Sequence, residues 1–336
     1  MKQIMIGDLP APKASIVVRA YNEAQHIERL LTGIRQQTVR GEPVRDIEVI
    51  LVDSGSSDGT VELASQFSAP FPIHILHILP EEFTFGRSLN LGIQHACSPL
   101  VVIASAHVYP VYPDWLEHLL SPFEDEQVVL TYGKQRGDKL SYFSERQIFS
   151  AWFPEQSQSH QSHPFCNNAN AAVRRRAWEE HPFDESLSGL EDLEWANWAL
   201  HHGDAISYSA EAEIIHVHQE SPRSVFNRYR REAMAFKRIF PQQRFGKLDL
   251  ARLVSRNIVS DLRLAAQQKV LWQNVGSIIW FRWMQFYGTY QGYRHSGPLT
   301  WQLRQTFYYP LDPAQPQPGQ ARPVEPILYP DLKKDS

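Results

Sequence analysis

The stretch Ile47–Val52 (Ile-Glu-Val-Ile-Leu-Val), closed by Asp53-Ser54-Gly55-Ser56-Ser57-Asp58-Gly59-Thr60, limits what this chain can fold into more than any other. Its apolar, β-branched run reads as a buried strand. The run ends in a carboxylate and a turn of small residues, and helical spacing restarts from Thr60 to Ala64. Residues 15–20 (Ser-Ile-Val-Val-Arg-Ala) form a second such strand, and residues 73–78 and 100–104 a third and a fourth. Helical patterns separate them over 24–37, 57–67, 86–96 and 114–123. Strands alternating with helices at this spacing require right-handed crossovers, hence an α/β fold with a Rossmann-like, mostly parallel sheet covered on both faces. An acid at the carboxyl end of such a strand points into the crevice where α/β sheets bind ligands. Asp53 is therefore either an acceptor for a base N–H or ribose hydroxyl, or a cap of the next helix; Asp58 reads as the cap. No Gly-x-Gly-x-x-Gly follows the first strand and no Gly-x-x-x-x-Gly-Lys-Ser/Thr occurs, which argues against a dinucleotide enzyme and a P-loop NTPase.

At 336 residues the chain has room for one large or two modest domains. Its two cysteines, Cys97 and Cys166, give neither a disulfide framework nor a cysteine zinc site, and fit a reducing cytoplasm. The N-terminal segment has no long apolar core or cleavage signal, and no run of about 18 uncharged apolar residues occurs, so neither secretion nor a transmembrane helix is expected. The net charge is −4, yet between Pro222 and Pro310 stand 15 Lys and Arg against 3 Asp and Glu. The same region is amphipathic: Val225, Tyr229, Ala233, Phe236 and Phe240 recur as one helical face, as do Leu250, Val254, Ile258, Leu262 and Ala265. Val270–Tyr293 then crowds aromatic residues among Gln, Asn and Arg. This composition suits helices in the headgroup region of an anionic leaflet, with Arg228, Arg230 and Arg231 toward lipid; alternatively the helices cover the sheet and their charges are a solvated face. No recognition motif accompanies the charge, so nucleic acid is not an expected partner. From Leu311 prolines recur in a polar stretch that reads as an extended tail.

Three motifs in the first half carry a resemblance: Ala20-Tyr21-Asn22-Glu23, Val52–Thr60 and Phe85-Gly86-Arg87-Ser88-Leu89-Asn90-Leu91-Gly92. Further on come Tyr132-Gly133-Lys134-Gln135, Asn168-Ala169-Asn170-Ala171-Ala172-Val173-Arg174, Phe183-Asp184-Glu185 and Glu191-Asp192-Leu193-Glu194-Trp195-Ala196. In this order and spacing, over residues 12–220, the chain resembles the family 2 glycosyltransferases of GT-A fold, and especially their rhamnosyltransferase-like bacterial branch. The resemblance implies three parts: a GT-A domain over 12–220, a basic, aromatic-rich helical region over 221–310, and the tail over 311–336. It also implies an inverting enzyme that moves a sugar from a nucleotide-diphosphate sugar to a hydroxyl of a glycan or lipid-linked acceptor, in polysaccharide or glycolipid assembly. The expected place is the cytoplasm, peripherally on the inner face of the plasma membrane.

By the same resemblance Arg19, Tyr21 and Glu23 face the base with Asp53. Arg87 lies near the diphosphate, where a guanidinium can pair with phosphate oxygens, or it forms a surface ion pair. Asp192 takes the role of general base, with Glu191 the second choice. The two acids open an apolar-periodic helical segment, where the positive helix end favours a carboxylate and apolar surroundings tune its pKa. Asn168 is expected to contact donor or acceptor. Trp195 reads either as the wall of an acceptor site or as core.

This chain departs from the family pattern after the fourth strand. There the family typically carries Asp-x-Asp, which supplies oxygens to a divalent ion on the diphosphate; here the segment is Ser105-Ala106-His107. Mg²⁺ prefers oxygen ligands, and imidazole suits ions such as Mn²⁺ or Zn²⁺. Ile214-Ile215-His216-Val217-His218 is strand-like and puts both histidines on one face. Three readings stay open. His107 and His216 hold a divalent metal, Mn²⁺ or Mg²⁺; or cationic histidines and Arg87 neutralise the leaving group; or the site is dead and the chain is a GT-A scaffold that binds a nucleotide sugar or a partner enzyme. A sugar nucleotidyltransferase is a further alternative, disfavoured because Arg19–Glu23 is not a Gly-rich basic loop.

Overall fold

Strands β1 (Ala14–Ala20), β4 (Ile47–Asp53) and β6 (Leu100–Ser105) are buried almost end to end, as parallel strands packed on both faces must be. Along β1 the pleat sends Val17 to one face and Ile16 and Val18 to the other, where two separate apolar cores form. The computed structural model describes residues 14–139, 141–218, 220–294 and 325–329.

The remaining strands are β2 (Thr38–Val39) and β3 (Glu42–Pro43), a small hairpin, then β5 (Ile73–His77), β7 (Val108–Pro110), β8 (Val128–Arg136), β9 (Asn170–Arg174) and β10 (Ala205–His216). Among the described residues the main sheet has eight strands in the order β5-β4-β1-β6-β9-β8-β10-β7. Helices α1 (Ile27–Arg35), α2 (Thr60–Gln66) and α4 (Trp115–Leu120) contribute to one core. Helices α3 (Phe85–His95), α5 (Phe143–Trp152), α6 (Arg175–Glu180) and α7 (Glu191–His202) contribute to the other. The doubly covered sheet expected from the alternation of strand and helix is present. Its first four strands are parallel; β9 then pairs antiparallel with both β6 and β8, so the sheet is mixed beyond that point.

Gly133 makes the junction of β8, β9 and β10 possible. A Cβ there would sit 2.2 Å from the Ala212 carbonyl and 2.4 Å from Asn170 Nδ2. Asn170 uses that space, donating from Nδ2 to the carbonyls of Ala212 (2.8 Å) and Lys134 (3.2 Å) while its Oδ1 accepts from Trp115 Nε1 (2.9 Å). One buried amide thus fastens three strands and a helix with its polar atoms satisfied.

The C-terminal part is helical, with α8 (Pro222–Ile239), α9 (Lys247–Gln267) and α10 (Leu271–Arg294). Gly288 and Gly292 let α10 lie directly on the α8 backbone, because a Cβ at either would come within 2.5 Å of a carbonyl of Phe226 or Arg230. Arg282 of α10 binds Asp261 of α9 through two bonds (Nε to Oδ2 2.7 Å, Nη2 to Oδ1 3.1 Å), and Ser144 of α5 donates to the same carboxylate at 2.6 Å. All three side chains are buried. Of the tail, only 325–329 falls within the described residues: Ile327 N donates to the Val111 carbonyl (3.0 Å) and Tyr329 Oη to that of Pro110 (2.6 Å). The expectations for 12–13, 295–324 and 330–336 lie outside the described residues.

Candidate active site

The carboxyl ends of β1, β4 and β6 lie side by side, with Ala20 opposite Asp53 and Arg19 opposite Ser105. Asp53 is only 2 % exposed, and it organises its own loop by accepting N–H bonds from Gly55 (3.1 Å) and Ser56 (3.2 Å). Gly55 and Gly59 adopt φ near +93° and +95°, which a residue with a Cβ rarely does. The loop is laced to the β1 exit: Asn22 N donates to Ser56 Oγ (2.8 Å), Ser57 N to Asn22 Oδ1 (2.9 Å) and Ala24 N to Asp58 Oδ2 (2.9 Å). Asp58 also accepts from Thr60 N at the start of α2, so it caps the helix and ties the two loops together. Asp53 is therefore a buried loop anchor, with His77 Nδ1 3.4 Å away.

Arg19 and Glu23 at the β1 exit have partners on other elements. Arg19 Nη1 lies 3.4 Å from Glu191 Oε1, and its guanidinium stacks 4.7 Å over Phe85. Glu23 Oε1 lies 2.6 Å from His107 Nδ1. Tyr21 stays half-buried at the β1 exit and Ser105 is buried at the end of β6. Arg87 forms the surface ion pair, 3.1 Å from Glu82, on a groove of about 290 Å³ that His77 and Ile78 also line.

Asp192 sits in the first turn of α7, buried, accepting from Asn168 N (3.0 Å) and from its neighbour Leu193 N (2.8 Å). Burial and the adjacent Glu191 charge raise its pKa to about 7, against the pull of those two N–H bonds and of Arg19. Asn168 Nδ2 points toward Glu191 Oε1 at 3.5 Å. Trp195 does not reach this site. It is fully buried, donates from Nε1 to the His181 carbonyl at 2.6 Å and packs on Phe183 and Trp198. The acceptor-wall reading of Trp195 is thus corrected to core, because its side of α7 faces the sheet.

The histidines converge. One ring nitrogen each of His107, His216 and His218 lies within 4.8 Å of the others. Each Nδ1 is already held: His107 by Glu23, His216 by Gln135 Oε1 (2.8 Å) and His218 by Glu145 Oε1 (2.8 Å). His216 Nε2 is buried with no partner among the described residues. Burial, then the charges of neighbouring rings and of Arg228, hold His216 and His218 well below the ordinary imidazole value. At His107 burial opposes the cation, but Glu23 outweighs it and the pKa is raised. A neutral imidazole whose other nitrogen is fixed by an acceptor is how proteins present a metal ligand. His218 was legible from its place on the His216 face; Gln135 stood in a quoted motif without a role, and Glu145 carried no signal.

Residues 15–181 match the sequence model of glycosyl transferase family 2. This chain belongs to that family. The family 2 chain is 27 % identical over 228 residues to the O-antigen chain rhamnosyltransferase RfbN of Salmonella typhimurium, covering 65 % of this chain and 70 % of that protein. It is 26 % identical over 221 residues to the glycosyltransferase AglE of Haloferax volcanii, covering 63 % and 68 %. Among solved structures, the mannosyltransferase PcManGT of Pyrobaculum calidifontis, in complex with GDP-Man and Mn²⁺, superposes with TM-score 0.57 at 20 % identity over 84 % of this chain and 85 % of that one. That likeness shows the shared GT-A fold. The chain is a glycosyltransferase, as the sequence motifs implied.

Proposed function

We propose that this enzyme transfers a sugar, with inversion, from a nucleotide-diphosphate sugar to a hydroxyl acceptor in polysaccharide or glycolipid assembly. The observation that carries the reading is Asp192, a buried carboxylate with a pKa near 7 at the sheet's carboxyl edge. A general base works best when its pKa lies near the operating pH. Asp192 takes the acceptor proton as the hydroxyl oxygen attacks the anomeric carbon and the nucleoside diphosphate leaves from the opposite face. Asn168 N and Leu193 N hold the carboxylate in place, and Arg19 screens Glu191 beside it. The O-antigen relatives support a glycan acceptor. The configuration of the new linkage, read by NMR, tests the reading: inversion is expected, and retention contradicts a single displacement with Asp192 as base.

The three histidines suit a divalent ion of the Mn²⁺ or Zn²⁺ kind better than Mg²⁺, since all offer nitrogen. When bound, such an ion neutralises charge on the leaving diphosphate. His216 and His218 are held neutral and ready to ligate, while the raised pKa of His107 makes a metal compete with its proton, so metal affinity should rise with pH. Glu23 orients His107, and calorimetric titration of Glu23→Ala with Mn²⁺ should show affinity lower by about 10–100-fold. An unchanged affinity, or no metal binding by the wild-type chain, would remove the metal from this account.

We assign helices α9 and α10 to an anionic membrane surface, at the cytoplasmic face where nucleotide sugars are available. Arg228 is paired with Glu145 (2.9 Å) and Glu220, and it is not exposed, nor are Arg230 and Arg231; the lipid-facing arginines are therefore others. Leu248, Arg252, Arg256, Val259 and Arg263 are exposed at helical spacing along one face of α9, and Trp272, Ile279 and Trp283 along one face of α10. Trp272 is 87 % exposed. No helix among the described residues is long and apolar enough to cross a membrane. Replacing Arg252, Arg256 and Arg263 by Gln should cost about 3 kcal/mol of binding to anionic liposomes, at about 1 kcal/mol per basic residue, and binding should fall as salt rises. Sedimentation with anionic and neutral vesicles reads this; no binding to either would exclude the surface.

A further inference from the structure

Beside the histidines, β8, β10, α5 and α8 enclose a cleft of about 60 Å³ whose walls include Gln135, Glu145, Phe149, Trp152, Phe153 and Asn167. Besides His216 Nε2 and Arg228 Nε, which also line the cleft, two of its wall side chains carry polar atoms left without a partner among the described residues, Gln135 Nε2 and Glu145 Oε2. Both side chains are more than nine-tenths buried, where an unmet donor or acceptor is rare unless a ligand or ordered water completes it. Their other atoms are fixed: Gln135 Oε1 by His216, and Glu145 Oε1 by His218 and Arg228. Each group therefore offers one atom in a set direction, Gln135 a donor and Glu145 an acceptor.

The rest of the wall is aromatic, and Trp152 stands 49 % exposed at the protein surface. A hydroxyl both donates and accepts, and an aromatic ring gives a sugar's C–H face an apolar surface to pack on. An apolar ligand would leave both polar atoms unmet. On this measure a water needs about 10–15 Å³, so the cleft admits a few water-sized groups, the edge of a ring with its hydroxyls rather than a whole sugar. It also adjoins the base: Asn167 lines it, and the next residue, Asn168, donates its N–H to Asp192. The cleft lies over β8 and β10, across β1, β6 and β9 from the Asp53 loop.

We propose that this cleft is the acceptor-sugar subsite, with Gln135 Nε2 donating to one hydroxyl of the acceptor, Glu145 Oε2 accepting from another, and Trp152 packing on the ring. The assignment rests on the glycosyl-transfer reading, and its test separates the two. Saturation-transfer NMR on the full chain, with the methyl glycosides of glucose, galactose, mannose and rhamnose, should show binding of at least one. Trp152→Ala and Gln135→Glu should each weaken that binding at least ten-fold. Trp152 is at the surface, so a melt near wild type is expected for Trp152→Ala; Gln135→Glu keeps the oxygen that holds His216 but adds a buried carboxylate, so its binding is compared at a temperature below its own melt. Absence of binding by every glycoside, or binding that survives in either variant, would overturn the subsite. Glycoside binding lost in both variants, in a wild-type chain to which neither UDP nor GDP binds, would uphold the sugar subsite and count against the transfer reading.

Discussion

Asp192→Asn is expected to lower turnover by about 10²–10⁴-fold while donor binding survives. The amide keeps the shape and one of the two acceptor oxygens, losing either the bond from Asn168 N to Oδ2 or that from Leu193 N to Oδ1, and it cannot take a proton from the acceptor. In the wild-type enzyme the rate should rise with pH through about 7, as the carboxylate ionises, and level off above it. Stability should move the other way. Burial raises the folded-state pKa, so between the ordinary carboxyl value and about 7 the folded chain holds a proton that the unfolded chain has released. Stability therefore falls as pH rises through that window. Asp192→Asn removes that penalty but also one accepted N–H bond, worth about 1 kcal/mol, so at pH 8 the variant should still melt within a few degrees of wild type. Low activity with a near-wild-type melt separates a lost base from a lost fold. Normal turnover in the variant would remove Asp192 from the mechanism and make Glu191 the next residue to test.

Asp261→Ala should cost about 3–5 kcal/mol, because it leaves Arg282 charged and buried without its partner. Ser144 loses its acceptor as well, so the change loosens α5, α9 and α10 together. Urea unfolding measures the loss. Replacing both members of the pair, Asp261→Leu with Arg282→Met, should recover most of it, since apolar groups of similar size often equal a buried ion pair. A single variant within 1 kcal/mol of wild type would show that the pair does not lock these helices.

The first sheet strands were legible because burial on both faces forces continuous apolar runs; Ile47–Val52 and residues 15–20 can do little else. The strand carrying Tyr132-Gly133-Lys134-Gln135 was less so, since its buried Lys134 and Gln135 side chains are explained by Glu213 and His216, which meet it only in the folded sheet. Asp192 could be placed from its position in a helix's first turn. Trp195 could not, because an indole on an apolar-periodic helix looks the same whether it faces the core or a ligand. The directions of Arg19 and Glu23 depend on which strands neighbour β1, and the pairing with β6 brings Glu23 toward His107 rather than toward Asp53. Glu145 was invisible for a similar reason: its partner Arg228 is 83 residues away, and only packing of α5 on α8 makes it a buried carboxylate. The segment Ser105-Ala106-His107 in place of Asp-x-Asp can be seen in the sequence; that His107, His216 and His218 converge, with their supporting acceptors, is a property of the assembled site.

The most direct measurement of the central claim is release of nucleoside diphosphate by the purified full chain from UDP-, GDP- and dTDP-sugars, with an oligosaccharide acceptor mixture, with and without Mn²⁺. The account predicts turnover of at least one donor, and its near-loss in Asp192→Asn at unchanged donor affinity. Binding of a donor with no turnover under any of these conditions would contradict it and leave a nucleotide-sugar-binding scaffold in its place.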